Sequence, residues 1–250
     1  TASIATGQTI TDINKTDKQG RKQGHWIKYY PDKTRILYEG DFLDDHPAGE
    51  FRRYYEDGTI KSLLIYSSDG TEAVATIYHP NGNIASSGKF INQLKEGKWR
   101  FYSDQVNGLL INEESYTKNM KNGLSLKFYS DSSVVEKVNY TMDKRDGEWL
   151  QYHQGGKLSL KARYINGILE GKFEAWYPDG KPEFTGNYKH NLRDGIWRIY
   201  KPDGSLKYEL LYADGKASDP KLESDTEKLF DDLEKNKGRI ADPEKTGEIR

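Results

Sequence analysis

The hydrophobic and polar positions of this chain repeat every 24 to 26 residues. Glycines mark the repeat, and Ala73 divides the one double-length interval between them into two steps of 24. Periods of about 20 to 50 residues are typical of stacked repeats. The sequence therefore predicts eight tandem repeats, of which the Ala73 repeat has lost its glycine. The glycine anchors are Gly24, Gly49, Gly97, Gly123, Gly147, Gly171 and Gly195.

Each repeat has the residue pattern of a β-hairpin. We number positions from the anchor, so that position +2 lies two residues after it. Short aromatic and β-branched runs closed by turn residues favour strands. Position +2 is a large apolar residue in most repeats: Trp26, Phe51, Trp99, Trp149, Phe173 and Trp197. Position +5 is aromatic in all eight: Tyr29, Tyr54, Tyr78, Tyr102, Phe128, Tyr152, Trp176 and Tyr200.

The predicted turn lies eight and nine residues after the anchor, as in Asp57–Gly58, Asp179–Gly180 and Asp203–Gly204. Such dipeptides form tight hairpin turns. In the longer Gly97 repeat the dipeptide shifts to Asn107–Gly108, so the extra residues lie in a turn, where insertions are tolerated. We therefore predict an all-β fold, an elongated array of about eight stacked antiparallel β-hairpins in a single sheet.

Positions +2 and +5 differ by an odd number, so in a regular strand their side chains lie on opposite faces of the sheet. Either both faces are partly covered, or a bulge redirects one of the side chains. The sequence leaves both alternatives open.

The pattern Gly-x-Trp-x-x-Tyr-x-x-Asp-Gly, followed by a Tyr and a polar turn, is clearest from Gly147 to Gly215. It resembles the bacterial variant of the MORN repeat over about residues 20–216. The resemblance implies a single-sheet array of hairpins. Several bacterial members, of the YwqK type, are described as antitoxins, which adds a toxin protein as a partner hypothesis. The Ala73 repeat and the Gly123 repeat, which has Ser125 at position +2, depart from the pattern.

The ends of the chain differ from its middle. We expect a flexible segment over residues 1–13, the hairpin array over 14–216 and a charged tail over 217–250. Ser224–Glu227 has the form of a capping box, and apolar residues after it predict a helix near 224–237.

This helix has two interpretations. Repeat arrays generally need a terminal cap, and the helix would then cover the last hairpin. Alternatively, it docks a partner protein through its apolar stripe. The anchors of that docking helix would be Leu229, Phe230 and Leu233.

The composition excludes several classes of partner. Apolar residues make up 34% of the chain, below the 45–50% of typical globular domains, so aromatic rings must supply most of the buried area. The net charge is −1, which predicts no nucleic-acid partner and disfavours membrane lipid. No apolar run approaches the roughly 18 residues of a membrane span. Basic–acidic pairs before the anchors are interpreted as a polar ladder: Lys95–Glu96, Arg145–Asp146 and Arg193–Asp194.

The first 20 residues are polar and small, and the chain begins with Thr1. This is typical of a mature protein whose signal peptide has been removed, although an engineered start would look the same. We therefore expect a periplasmic, outer-envelope or secreted protein, and a cytoplasmic location stays open. The absence of cysteine excludes disulfides and thiolate metal sites and fits either redox compartment.

No catalytic motif is present. The five histidines occupy different positions in different repeats, and no metalloprotease, phosphate-loop or nucleophile-elbow motif occurs. We therefore predict a protein that is not an enzyme and has no cofactor or metal.

Two binding hypotheses follow. In the first, the array is a scaffold for a protein partner, with anchors near Arg52, Arg53 and Tyr55. In the second, exposed rings stack on the sugars of a glycan or cell wall. The even spacing of the +2 tryptophans indicates core packing, so the candidates for exposed rings are the aromatics at position +6. These are Tyr30, Tyr55, Tyr129 and Tyr177.

Overall fold

A computed structural model describes residues 13–224 and 226–227. By its contacts the chain divides into two compact units. The described part of the first unit comprises residues 13–109 and 116–120, and that of the second comprises 110–115, 121–224 and 226–227. Antiparallel hairpin strands fill both units, and one short helix follows them. The predicted all-β hairpin array is therefore confirmed.

In the first unit, each strand pairs antiparallel with the next one along the chain. A two-residue strand precedes the first anchor, Gly24. The strands are β1 (Lys15–Thr16), β2 (Lys22–Tyr29), β3 (Ile36–Leu43), β4 (His46–Tyr54), β5 (Ile60–Tyr66), β6 (Glu72–Tyr78), β7 (Ile84–Ile91) and β8 (Leu94–Tyr102).

The first six residues of strand β9 (Leu110–Thr117) belong to the second unit. Every residue of strand β10 (Met120–Phe128) except Met120 also belongs to it. The remaining strands of this unit again pair with their sequence neighbours, and β13 also pairs with β15. They are β11 (Val134–Thr141), β12 (Lys144–Tyr152), β13 (Leu158–Ile165), β14 (Ile168–Leu169), β15 (Gly171–Trp176), β16 (Pro182–Lys189), β17 (Leu192–Tyr200), β18 (Leu206–Ala213) and β19 (Lys216–Ala217).

Five of the anchor glycines lie at β-bulges. Where β3 pairs with β4, Gly40 is opposite Phe51 but Asp41 is opposite Ala48, so β4 has two extra residues at Gly49. The same shift of two occurs at Gly97, Gly147, Gly171 and Gly195. All seven anchors have φ between 63° and 112°, a region that glycine enters without steric cost. The repeat has glycine at this position because of that backbone conformation.

The Ala73 repeat has lost the bulge together with its glycine. The pairing of β5 with β6 runs from Ser62 opposite Ile77 to Tyr66 opposite Ala73 without a shift. A regular strand needs no left-handed residue, so alanine is accommodated here.

Burial and register along the strands bear on the two alternatives for positions +2 and +5. In β17, Trp197 and Ile199 at positions +2 and +4 are 0% and 2% exposed, whereas their neighbours Ile196 and Arg198 are exposed. The +5 residue, Tyr200, is half-buried, and the pairing of β17 with β18 shifts register between Ile199 and Tyr200. A bulge therefore lies beside position +5, as in the second alternative.

The core of the second unit is a ladder of +2 rings. The ring centroid of Phe173 lies 6.3 Å from that of Trp149 and 5.7 Å from that of Trp197. Leu160 and Ile199 fill the space beside the rings, each 2% exposed. Each buried ring contributes roughly 150–250 Å² of buried area, which compensates for the low aliphatic content.

Three glycines inside strands leave room for the +2 rings. A Cβ atom added to Gly40, Gly88 or Gly186 would lie 2.1 to 2.3 Å from a ring atom of Phe51, Trp99 or Trp197, respectively. Each glycine stands nine residues before an anchor, a spacing that the sequence analysis did not use.

A second turn joins each hairpin to the next one. Except in the turn that contains Gly70, its two central residues both have positive φ, as in His190–Asn191 at 51° and 65°, which is the type I′ conformation. The backbone N–H of Asn191 donates to the Leu169 carbonyl at 3.1 Å, and the Asn191 side-chain oxygen accepts from the Leu169 N–H at 2.7 Å. We call this pair of bonds the turn clamp. It recurs at three other turns, through Asp45, Asn119 and Asp143.

The helix, α1, comprises residues 220–224 and 226–227 of the described part. It begins earlier than predicted, because Asp219 rather than Ser224 accepts the N–H groups of Lys221 and Leu222. Leu222 packs on the core of the second unit, and Thr226, 1% exposed, lies 3.0 Å from the Tyr208 hydroxyl. These contacts are those expected of a cap on the last hairpin.

We predict that Gly186→Ala destabilises the protein by about 1–3 kcal/mol, because the new methyl group overlaps the Trp197 ring. Denaturant unfolding measures the loss. In a Trp197→Leu background the same substitution should cost much less, since the ring is absent. Equal stability of Gly186→Ala and the wild type would contradict the packing described here.

We also predict that Asn191→Ala lowers the free energy of unfolding by about 1 kcal/mol through the lost turn-clamp bond, with a further cost for alanine at positive φ. Asn191→Gly is the matched control, because Gly167 and Gly215 occupy the same position and keep only the backbone bond. Thermal unfolding should rank wild type above Asn191→Gly and Asn191→Gly above Asn191→Ala. The reverse order of the two variants would contradict the assigned turn type.

Candidate binding surface

A row of apolar residues follows one end of the hairpins in the second unit. Each +5 ring pairs with an aliphatic residue of the return strand, and the register shifts by one residue between positions +4 and +5. The strands follow one another in the sheet, so +5 rings and aliphatic residues alternate along this row. We call these residues the outer stripe: Phe128, Val134, Tyr152, Leu158, Trp176, Pro182, Tyr200 and Leu206.

The outer stripe is only partly covered. Its members are half-buried except Leu206, which is 48% exposed. The first unit repeats the arrangement with the pairs Tyr29–Ile36, Tyr54–Ile60 and Tyr78–Ile84, of which Tyr29 and Ile60 are exposed. Contiguous apolar surface of this kind marks interaction sites on soluble proteins.

In the second unit, the polar ends of Tyr152, Trp176 and Tyr200 have no hydrogen-bond partner in the described residues, unlike those of the core rings. The indole N–H groups of Trp99 and Trp197 donate to backbone carbonyls at 3.1 Å, and that of Trp149 donates to Glu136 at 2.9 Å. Within residues 13–224 and 226–227, the indole of Trp176 has no hydrogen-bond partner. Trp176 is therefore a half-buried ring with a donor free for solvent or a ligand.

The tyrosines divide in the same way. On the core side, the hydroxyls of Tyr164 and Tyr212 accept hydrogen bonds from Arg145 and Arg193, each at 3.1 Å. On the outer stripe, the hydroxyls of Tyr152 and Tyr200 have no partner in the described part of the chain. Free donors beside apolar surface are the usual composition of a binding site.

The aromatics at position +6, predicted to be exposed, are half-buried and hydrogen-bonded, and partner binding by them stays a prediction. The hydroxyls of Tyr55, Tyr129 and Tyr177 donate to the carbonyls of Tyr78, Tyr152 and Tyr200 at 2.7 to 3.0 Å. His153 is the +6 residue of the Gly147 repeat, and its Nε2 atom lies 2.7 Å from the Trp176 carbonyl oxygen. Burial raises the pKa of all three tyrosines, so they remain donors. These residues are half-buried and hold the backbone of the next +5 residue.

The predicted anchors Arg52 and Arg53 lie on β4. Arg52 is half-buried and forms ion pairs with Glu39, at 3.6 Å, and with Glu50. Glu39 also accepts a hydrogen bond from Tyr54, and burial together with this bond raises the pKa of Tyr54 to about 12. Arg53 is exposed. The structure therefore places Arg52 in a polar network beside an outer ring, and partner binding by either arginine stays a prediction.

The predicted helix anchors Leu229, Phe230 and Leu233 lie outside the described residues. The docking interpretation of the C-terminal helix therefore stays a prediction.

The predicted polar ladder contacts the core rings. The guanidinium groups of Arg145 and Arg193 lie 5.6 and 5.7 Å from the ring centroids of Trp149 and Trp197. The ammonium group of Lys95 lies 5.2 Å from that of Trp99. At these distances a cation is attracted to the ring face. The basic residue of each pair therefore closes the edge of the ring ladder.

The Gly123 repeat replaces the ring ladder with buried polar groups. Glu114, Ser125 and Glu136 are 5 to 6% exposed, and the side-chain oxygen of Asn112 has no partner in the described residues. Burial alone would raise the pKa of Glu136, but Lys127 and hydrogen bonds from Trp149 and Gln151 hold that pKa below its usual value. The departure at Ser125 thus extends to its neighbouring strands.

Among the described residues, no three His, Asp or Glu side chains are arranged to bind a metal ion. No helix in the same residues has the length and apolar character needed to span a membrane.

Burial raises the pKa of Glu183, which precedes Phe184 on β16. A raised pKa in the folded state means that ionisation of this carboxyl opposes folding at pH 7. We predict that Glu183→Gln unfolds at a higher temperature than the wild type at pH 7. The difference should vanish near pH 4 and below, where the wild-type carboxyl is protonated. A difference that persists at low pH would contradict this assignment.

Comparison with known families identifies five of these hairpins. Residues 48–67, 71–92, 145–166, 169–190 and 193–214 match the MORN repeat variant, whose family consists of non-enzymatic repeats. The 71–92 match includes the Ala73 repeat, while none covers the Gly123 repeat. A search of curated proteins finds no match. In its matched segments, which carry Tyr152, Trp176 and Tyr200, this chain is similar to the MORN repeat variant.

Proposed function

We propose that this protein is a non-enzymatic scaffold that binds protein partners through the outer stripe. The observation that supports the proposal is the contrast between the two sets of rings. Core rings have their polar ends bonded inside the sheet, whereas Tyr152, Trp176 and Tyr200 have donors without a partner in the described residues. Aromatic residues that combine apolar area with a free donor are enriched at protein interfaces.

The repeat arrangement supports a long interface rather than a pocket. Each hairpin adds one ring and one aliphatic side chain to the outer stripe, so a partner gains contacts with every repeat that it crosses. The similarity to the MORN repeat variant supports an interaction module. An antitoxin is a narrower form of the same proposal, in which the partner is a toxin protein.

The test compares the proteins captured by the purified wild-type chain with those captured by a triple variant. This stripe variant combines Tyr152→Ala, Trp176→Ala and Tyr200→Ala. Arg198→Ala is the matched control, because Arg198 is exposed on the same face of β17, two residues from Tyr200. Extracts of the source organism supply the partners, and mass spectrometry identifies them.

We expect the wild type and Arg198→Ala to retain the same proteins and the stripe variant to lose them by tenfold or more. Circular dichroism checks that the variant is folded. Equal capture by the folded stripe variant would contradict the proposal. Binding of oligosaccharides, with no protein retained, would favour the glycan alternative instead.

A further inference from the structure

We infer that the outer stripe of the second unit binds a polyproline II segment, with one turn of the segment for each ring. This inference rests on the proposed function and names the chemistry of the partner. The segment would cross the strands along Tyr152, Trp176 and Tyr200, which lie at position +5 of three consecutive repeats.

The distance between neighbouring rings matches one turn of a polyproline II helix. Successive rings lie on alternate strands, since β13 separates Tyr152 from Trp176 and β16 separates Trp176 from Tyr200. Two strand spacings are about 9.5 Å. A polyproline II helix has three residues per turn and rises about 9.3 Å per turn. Residues i, i+3 and i+6 of such a segment would therefore meet three successive rings.

Other peptide conformations fit less well. Side chains of a β-strand alternate between two faces, so residues three apart point in opposite directions. An α-helix covers a similar distance in about six residues, but its backbone carbonyls are bonded within the helix. The free donors of the outer stripe would then stay unpaired.

The chemistry of the stripe supports the same conclusion. Leu158 and Pro182 pair with Tyr152 and Trp176 and lie on the strands between neighbouring rings, so the row is apolar along its length. Proline rings suit a row of aromatic rings, because they bring apolar area at little entropic cost. The backbone carbonyls of a polyproline II segment have no internal partners. The indole of Trp176 and the hydroxyls of Tyr152 and Tyr200 can donate to them.

The +6 residues fix the positions of these rings. Tyr129, His153 and Tyr177 each lie at hydrogen-bond distance from the backbone carbonyl of one of the three ring residues. The rings are therefore held on bonded strands, and binding requires little ordering of the protein.

The experiment uses the full chain labelled with 5-fluorotryptophan, which gives one fluorine signal for each tryptophan. Trp176→Phe assigns the outer signal. The probe is an oligoproline peptide of about seven residues, long enough for three rings, and a peptide of about four residues serves as the short probe. A Gly/Ser peptide of equal length, an amphipathic helical peptide and a linear oligosaccharide are the comparison ligands.

We expect the longer oligoproline to shift the Trp176 signal and to leave the signals of Trp99 and Trp197, which are 0% exposed, unchanged. The short probe should bind at least tenfold more weakly, since it reaches fewer rings. Tyr152→Ala and Tyr200→Ala, in which the reporter is intact, should each weaken binding severalfold to tenfold, while Arg198→Ala should not.

No response of the Trp176 signal to oligoproline at millimolar concentration would overturn the inference. A stronger response to the helical peptide or to the oligosaccharide would also overturn it and identify the competing ligand class. If oligoproline fails while the stripe variant still loses its captured proteins, the proposed function stands and only the peptide conformation is wrong.

Discussion

The structure depends on one backbone constraint, the left-handed glycine that begins seven of the eight repeats. Its positive φ creates a two-residue bulge before the +2 ring, and the ring then lies in the core over a small residue of the preceding strand. At Gly186 a single added methyl group would overlap Trp197. At Gly186 the bulge and the close approach of ring to backbone therefore act together, because Trp197 needs both the changed register and the missing Cβ.

Contacts between neighbouring repeats supply the stability that a conventional second layer would give. The turn clamp joins the type I′ turn of one repeat to the strand of the previous one through two hydrogen bonds. Basic residues such as Arg193 close the ring ladder and bond to the tyrosine of the next strand. Each repeat thus contacts its neighbours through the same set of interactions, which is the nearest-neighbour arrangement of repeat proteins.

The two faces of the hairpins serve different purposes. Core rings are buried and their polar groups are bonded, so they are committed to packing. The outer rings are fixed at the backbone by the +6 residues, but their own donors have no partner in the described residues. A surface whose backbone is fixed by hydrogen bonds, and whose side-chain donors have no partner in the described residues, can bind a partner without large rearrangement.

The sequence by itself determined the hairpin array, because the anchor glycines, the Asp-Gly turns and the alternating rings are all local signals. It also located the repeats that depart from the pattern, at Ala73 and Ser125. Only the tertiary structure decided which rings have their polar groups hydrogen-bonded inside the sheet and which do not. Position +6 was predicted to carry exposed rings, yet Tyr177 bonds to the Tyr200 carbonyl, 23 residues away, while the indole of Trp176 beside it has no partner in residues 13–224 and 226–227. Two adjacent aromatics look alike in sequence, and their roles differ because partners distant in the chain come together only when the sheet forms.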